Sequence, residues 1–217
     1  MPTSYNQLTG QSLERLAALS DGIFAVAMTL LVLDLHDPVR EAIHSEADLW
    51  HALLAMAPQI VSYLLSFLTL GIFWNGQQAQ LNHFSRSNQR LTWIHIAFLF
   101  AVSIMPFSTR LLAEYITFRT ALVAYWANIV LLGAILYAGW RYARCVGLVK
   151  NEVTPEISRA MEQRIEGAQA LYAVGVLLCW FSTYVSIAFI VLIQLNYAIA
   201  PRFRGATVDV DKQPPES

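Results

Sequence analysis

Charged side chains are scarce in this chain. Asp, Glu, Lys and Arg make up 13% of its 217 residues, against about 25% in ordinary soluble domains. With 56% hydrophobic residues and a mean hydropathy of +0.47, the deficit points to a membrane protein. A net charge of −1 excludes the global basic signature of a nucleic-acid binder. Cysteine is nearly absent: Cys145 and Cys179 stand far apart, fit no metal spacing, and read as small apolar residues. There is no Gly-rich phosphate loop, no Walker pattern and no HExxH. No Ser/His/Asp set has a context for nucleophilic catalysis. No enzyme chemistry, cofactor or metal is therefore expected. His36, His44 and His51 cluster before and within the second apolar run, but their spacing gives no helical metal pair, so they read as loop histidines. The first apolar run lacks a Lys/Arg-rich start and a small-residue cleavage site, and is expected to be a retained span. No internal repeat is visible, although many transporters carry one.

What the chain does have is long apolar runs. A membrane-spanning helix needs about 20 mostly apolar residues. Four runs meet this directly: Leu16–Leu35, Leu49–Phe73, Leu91–Leu112 and Thr120–Trp140. A fifth stretch, Ala168–Ala200, would rise about 50 Å as one helix, against about 30 Å of hydrocarbon. It is expected to be two spans turning near Ser182–Thr183. Between them and the fourth run, Asn151–Gly167 reads as a helix extension, with Thr154 as cap and Pro155 in the first turn. Glu162 and Arg164 in it are expected to be solvated.

The fold class expected is thus all-α, with six transmembrane helices. The domain plan is an N-terminal tail over 1–14, a six-helix domain over 15–204, and a polar, disordered tail over 205–217. With six spans, Arg15, Arg86, Arg90, Arg141, Arg144, Lys150, Arg159, Arg164, Arg202, Arg204 and Lys212 fall on one side. Arg40, Arg110 and Arg119 fall on the other. The positive-inside rule then places both termini in the cytoplasm. Trp50, Trp74, Trp93, Trp140 and Trp180 lie near expected span ends, where an amphipathic ring settles; bundle packing is the alternative for each. His95 lies one turn inside the third span and reads as a buried, hydrogen-bonded neutral side chain.

The first span opens with Arg15, Ser20 and Asp21, groups that are expensive near hydrocarbon. At 100° per residue, Val26, Thr29, Leu30 and Leu33 fall within one sector, extended toward the N-terminus by Gly22 and Leu19. Asp21 lies about 140° from Val26. If the Val26 stripe faces an axis, Asp21 faces neighbouring helices, with Trp74 and His95 as candidate donors. The stripe is either pore lining or a plain packing face.

Arg15-x-x-x-Leu19-Ser20-Asp21 resembles the Arg-x-x-x-Phe-Ser-Asp signature that opens the first helix in the transmembrane protein 175 family of potassium channels. The following Gly22–Leu33 segment, Gly71-Ile-Phe-Trp74, Phe98-Leu-Phe100 and Pro106-Phe107-Ser108 are similar to the family as well. Leu19 stands where the family has Phe. Gln77-Gln78 stand where relatives carry a His pair after the Trp; Gln77 can hydrogen-bond but does not titrate. The resemblance implies a prokaryotic plasma-membrane protein assembling as a homotetramer, with the first helices lining a central pore and no Thr-Val-Gly-Tyr-Gly filter. It implies that Val26, Leu30 and Leu33 form apolar constrictions and that Thr29 contributes to potassium selectivity. Arg15, Ser20 and Asp21 become the anchor that positions the helix. The partners implied are potassium ions, the lipid bilayer and further copies of the chain. Asp34 and Asp37, past the far end of the helix, would concentrate cations or simply be solvated. Two other classes stay open: a proton-coupled transporter with Asp21 or His95 as relay, and a non-conducting membrane scaffold.

Overall fold

The structure, a computed structural model, describes residues 13–40 and 43–199, and its regular elements there are helices. In chain order they are α1 (Leu13–Leu30), α2 (Glu46–Ala55), α3 (Ala57–His83), α4 (Gln89–Ser103), α5 (Met105–Glu114), α6 (Arg119–Val146), α7 (Pro155–Leu177) and α8 (Thr183–Ile199). Four stretches are long and apolar enough to cross a membrane: Leu13–Asp34, Ala57–His83, Gln89–Glu114 and Arg119–Val146, with Thr183–Tyr197 as a shorter apolar helix. The expected tail of 205–217 and most of the tail of 1–14 lie outside the described residues; Leu13 and Glu14 already belong to α1.

Proline corrects one of the expected runs and kinks another, which stays a single span within Gln89–Glu114. Leu49–Phe73 is not one span: the chain breaks at Met56, and α3 continues to His83. Pro58, at the start of α3, has no N–H to give back to α2, so the first helix ends and a new one begins. The short α2 is capped by the Ser45 hydroxyl, which accepts from the Asp48 amide at 3.2 Å. The Ser45 side chain and the His44 backbone hold the Asp48 carboxyl below its ordinary range. Pro106 likewise divides Leu91–Leu112 into α4 and α5 at Ile104, whose helical dihedrals make this a kink.

α6 outruns its expected end at Trp140 and closes at Gly147, which takes the left-handed conformation (φ 70°) that helix C-termini favour. Trp140 is therefore interior and fully buried, its ring 5.9 Å from that of Phe84, and does not mark a span end. Trp74 also sits well inside α3. Trp50, Trp93 and Trp180 are exposed. The start of α7 follows its sequence, with Thr154 Oγ1 accepting from the Ile157 amide at 3.3 Å. Glu162 is paired with Arg144, where solvation was expected, because α7 folds back alongside α6. The turn between the last two helices occupies a 3-10 segment, Leu178–Trp180, before α8 opens at Thr183.

One apolar core joins α1 and α3 to α8: Phe24, Leu65, Phe98, Leu132 and Ile190 belong to it. Polar groups are buried within it. Thr109 Oγ1 donates to Ser66 Oγ at 2.7 Å, Ser66 Oγ donates to Tyr125 Oη at 3.3 Å, and Gln194 donates to Thr69. In an apolar surround, such mutually satisfied groups hold helices in one register.

Close approach at Gly175 docks α8 on α7. A Cβ there would lie 2.7 Å from Ile190 Cγ1, and Ser186 Oγ donates to the Gly175 carbonyl. Gly175→Val is expected to push the two helices apart and lower the thermal unfolding midpoint in detergent. Ile190→Ala in the same chain should recover part of the loss. An unchanged midpoint in Gly175→Val would show that α8 is not held by this contact.

Candidate functional site on the first helix

α1 has two unlike faces. Leu16, Ser20, Phe24 and Ala27 are buried, followed by Leu31 in the 3-10 turn Leu31–Asp34. Beside them around the helix, Leu19, Val26, Leu30 and Leu33 are 48%, 58%, 43% and 71% exposed. The sector computed from the sequence is thus the face that the rest of the chain leaves uncovered. It borders an open cleft of about 450 Å³ lined by Leu19, Gly22, Ile23, Val26, Leu30 and, from α4, Ser103. No charged side chain occurs between Asp21 and Asp34.

Thr29 is exposed on the same side. Its hydroxyl lies 2.9 Å from the Val26 carbonyl and 3.0 Å from that of Ala25. The single proton is directed back into the helix, leaving the oxygen lone pairs for a partner outside it.

The N-terminal end of α1 is tied to α3. Ser20, fully buried, donates to the Leu16 carbonyl at 2.9 Å and accepts from Gln77 Nε2 at 2.7 Å. Asp21 Oδ1 accepts from Trp74 Nε1 at 2.8 Å and Gln78 Nε2 at 2.7 Å. Trp74 thus takes the expected place beside Asp21, while His95 does not. Its ring is 4% exposed, packs edge-on against Phe84 at 6.3 Å, and leaves Nε2 without a partner among the described residues. The reason is helical phase: His95 shares the buried face of α4 with Leu91, Phe98 and Val102, so it points into the bundle. Arg15 is exposed, on the first turn of α1.

A row of polar side chains on α3 was, Gln77 apart, not singled out from the sequence. Ser62, Ser66, Thr69, Gln77 and Gln80 are all buried. Their spacing of three, four and eight residues was a legible signal, since it places them on one helical face inside an otherwise apolar run.

Comparison with known proteins then places the chain. A potassium channel of Streptomyces collinus is 30% identical over 188 residues, covering 84% of this chain and 90% of that one. The chain belongs to the TMEM175 family. The family model described as the endosomal/lysosomal potassium channel TMEM175 matches residues 15–106, the part that contains the α1–α3 anchor. The crystal structure of a lysosomal potassium-selective channel TMEM175 homolog from Chamaesiphon minutus superimposes with a TM-score of 0.73 at 25% identity, covering 86% of this chain and 96% of that one. The mouse endosomal/lysosomal proton channel TMEM175 is 33% identical over 100 residues, 44% of this chain and 20% of the mouse protein. The fold is that of a multi-pass integral membrane protein of this family.

Proposed function

We propose that this chain is one subunit of a potassium-conducting channel in a prokaryotic plasma membrane, with four copies placing their α1 helices around a central pore. The observation that carries the reading is the division of α1. One face is packed and anchored, and a second face, Val26, Thr29, Leu30 and Leu33, is uncharged and uncovered by the rest of the subunit. A single helix cannot enclose a pore, whereas rotational symmetry turns each position into a ring. The bacterial relatives named as potassium channels support the same reading over most of the chain.

In this arrangement Val26, Leu30 and Leu33 form apolar rings. Such rings gate by dewetting: narrow, they exclude water and ions, and slightly widened they hydrate. Thr29 supplies a ring of hydroxyl oxygens whose lone pairs face the ion, without a fixed charge that would trap it. The anchor of Ser20 and Asp21 with Trp74, Gln77 and Gln78 holds the N-terminal half of α1 in place. The topology that accompanies this reading has six crossings, with α7 and α8 as the last two and both termini cytoplasmic.

Purified protein in planar bilayers under a potassium gradient tests the reading. The reversal potential is expected to follow the potassium equilibrium potential when chloride is varied. Flux that requires a pH gradient would favour a proton-coupled transporter. Silence from well-folded tetramers would remove conduction altogether.

A further inference from the structure

Two cavities away from α1 share two residues, Leu136 and the polar Gln80. The larger, about 60 Å³, lies between α3, α6, α7 and α8. Its walls include Phe73, Leu136 and Ile165, and its polar lining is Gln80, Gln169, Tyr172 and Tyr197, with exposed Arg164 at the rim. The smaller, about 10 Å³, lies between α3, α4 and α6, where Gln80 meets His95. Gln80 Oε1, Gln169 Oε1 and His95 Nε2 are all buried and lack a hydrogen-bond partner among the described residues, while the Tyr172 hydroxyl lies beside the Gln194 side chain. Unpaired polar atoms in so apolar a setting are costly.

The remaining polar atoms say what kind of partner is required. Gln80 Nε2 donates to the Leu136 carbonyl at 3.1 Å, and Gln169 Nε2 to the Ile129 carbonyl at 3.4 Å. Both amide nitrogens are used and both amide oxygens are bare. The other nitrogen of His95 is engaged by the Leu91 backbone, so Nε2 of the neutral ring is a bare acceptor as well. The occupant must donate to these acceptors, and in the larger cavity it also meets the hydroxyls of Tyr172 and Tyr197, so it must be able to accept as well. A cation is disfavoured, because no Asp or Glu lines either cavity and Arg164 stands at the rim of the larger. One water needs roughly 10–15 Å³ and two to four polar partners, and its share of liquid volume is about 30 Å³. The small cavity matches a single water bridging Gln80 Oε1 and His95 Nε2, and the larger, on the same measure, has room for several.

We propose that each subunit carries an internal water chain running from Gln169 and Tyr172 on α7, past Gln80 on α3, to His95 on α4. It is separate from the α1 face and does not depend on conduction. It brings solvent from the Arg164 rim to a histidine that the helices otherwise enclose.

Water-edited solid-state NMR on the bilayer-reconstituted channel with labelled histidine tests this, with the His95 ring signals assigned by His95→Gln. Transfer from water to the His95 ring is expected to build up nearly as fast as to the exposed rings of His44 and His51. Gln80→Leu removes the shared link, and Ala168→Leu fills the larger cavity without touching Gln80 or His95. Each should slow the His95 build-up several-fold while leaving His44 and His51 unchanged. Ala168→Leu keeps the test decisive if Gln80→Leu does not fold. Slow transfer to His95 in the unmodified channel, or fast transfer persisting in a folded Ala168→Leu variant, overturns the proposal.

Discussion

Val26→Ala is expected to raise single-channel potassium conductance several-fold in planar bilayers. In the proposed tetramer the substitution removes two methyl groups from each of four side chains at one level of the pore. Each buried methyl-sized group contributes about 0.8 kcal/mol to the preference for a dry environment, so a ring of alanines hydrates where a ring of valines does not. The fold should tolerate the change, because Val26 is 58% exposed in the subunit and holds nothing in its core. Phe24, two residues away, supplies the contrast. It is 2% exposed, and its ring lies 6.0 Å from Phe98. Phe24→Ala is expected to lower the unfolding midpoint markedly, with a loss of about 3–5 kcal/mol typical of a large core truncation. Unchanged currents in Val26→Ala would take Val26 out of the pore. Increased currents from Phe24→Ala in a stable tetramer would mean that α1 presents the other face to the axis.

The second large effect concerns the anchor. Ser20→Ala strands Gln77 Nε2 in a fully buried site, where an unpaired donor costs about 1–3 kcal/mol. Gln77→Leu should cost less, because the Ser20 proton still goes to the Leu16 carbonyl. Combining the two removes both partners, so the double variant should lose much less than the sum and lie near Gln77→Leu alone. Thermal unfolding and the tetramer fraction in detergent read this directly. Simple additivity would show that the Ser20–Gln77 bond does not hold α1. Asp21→Asn keeps one acceptor oxygen for Trp74 and Gln78 and loses only the charge, so its expected effect is on folding or assembly. A stable Asp21→Asn tetramer with altered ion selectivity would instead put Asp21 on the permeation path.

Much of this arrangement was legible in the sequence because helical phase is a local property. Val26, Thr29, Leu30 and Leu33 share a face in any α-helix, and Asp21 points away from it in any α-helix. Trp74 as partner to Asp21 also followed, since an indole N–H and a carboxylate on neighbouring spans have few other choices in an apolar medium. Gln78 as the second donor did not follow, and His95 had been offered in that place. The rotation of α4 about its own axis turns His95 inward, and Gln78 on α3 bonds Asp21. The breaks at Met56 and Ile104 had signals in Pro58 and Pro106, which a count of apolar residues passes over. Trp140 was misplaced for a related reason: α6 continues beyond its apolar run, so the end of hydrophobicity was not the end of the helix.

The sequence by itself determined that the chain spans a membrane, which face of the first helix is uncharged, and which residues open it. Hydropathy and period suffice for those because every backbone group in hydrocarbon must bond within its own helix. The tertiary structure decided which face of α1 is buried, that Gln77 and Gln78 tie Ser20 and Asp21 to α3, and that Gln80 and His95 meet at one small cavity. Those depend on how helices distant in the chain are rotated against one another. That rotation is set by the summed packing of side chains on all of them, and no single segment encodes it.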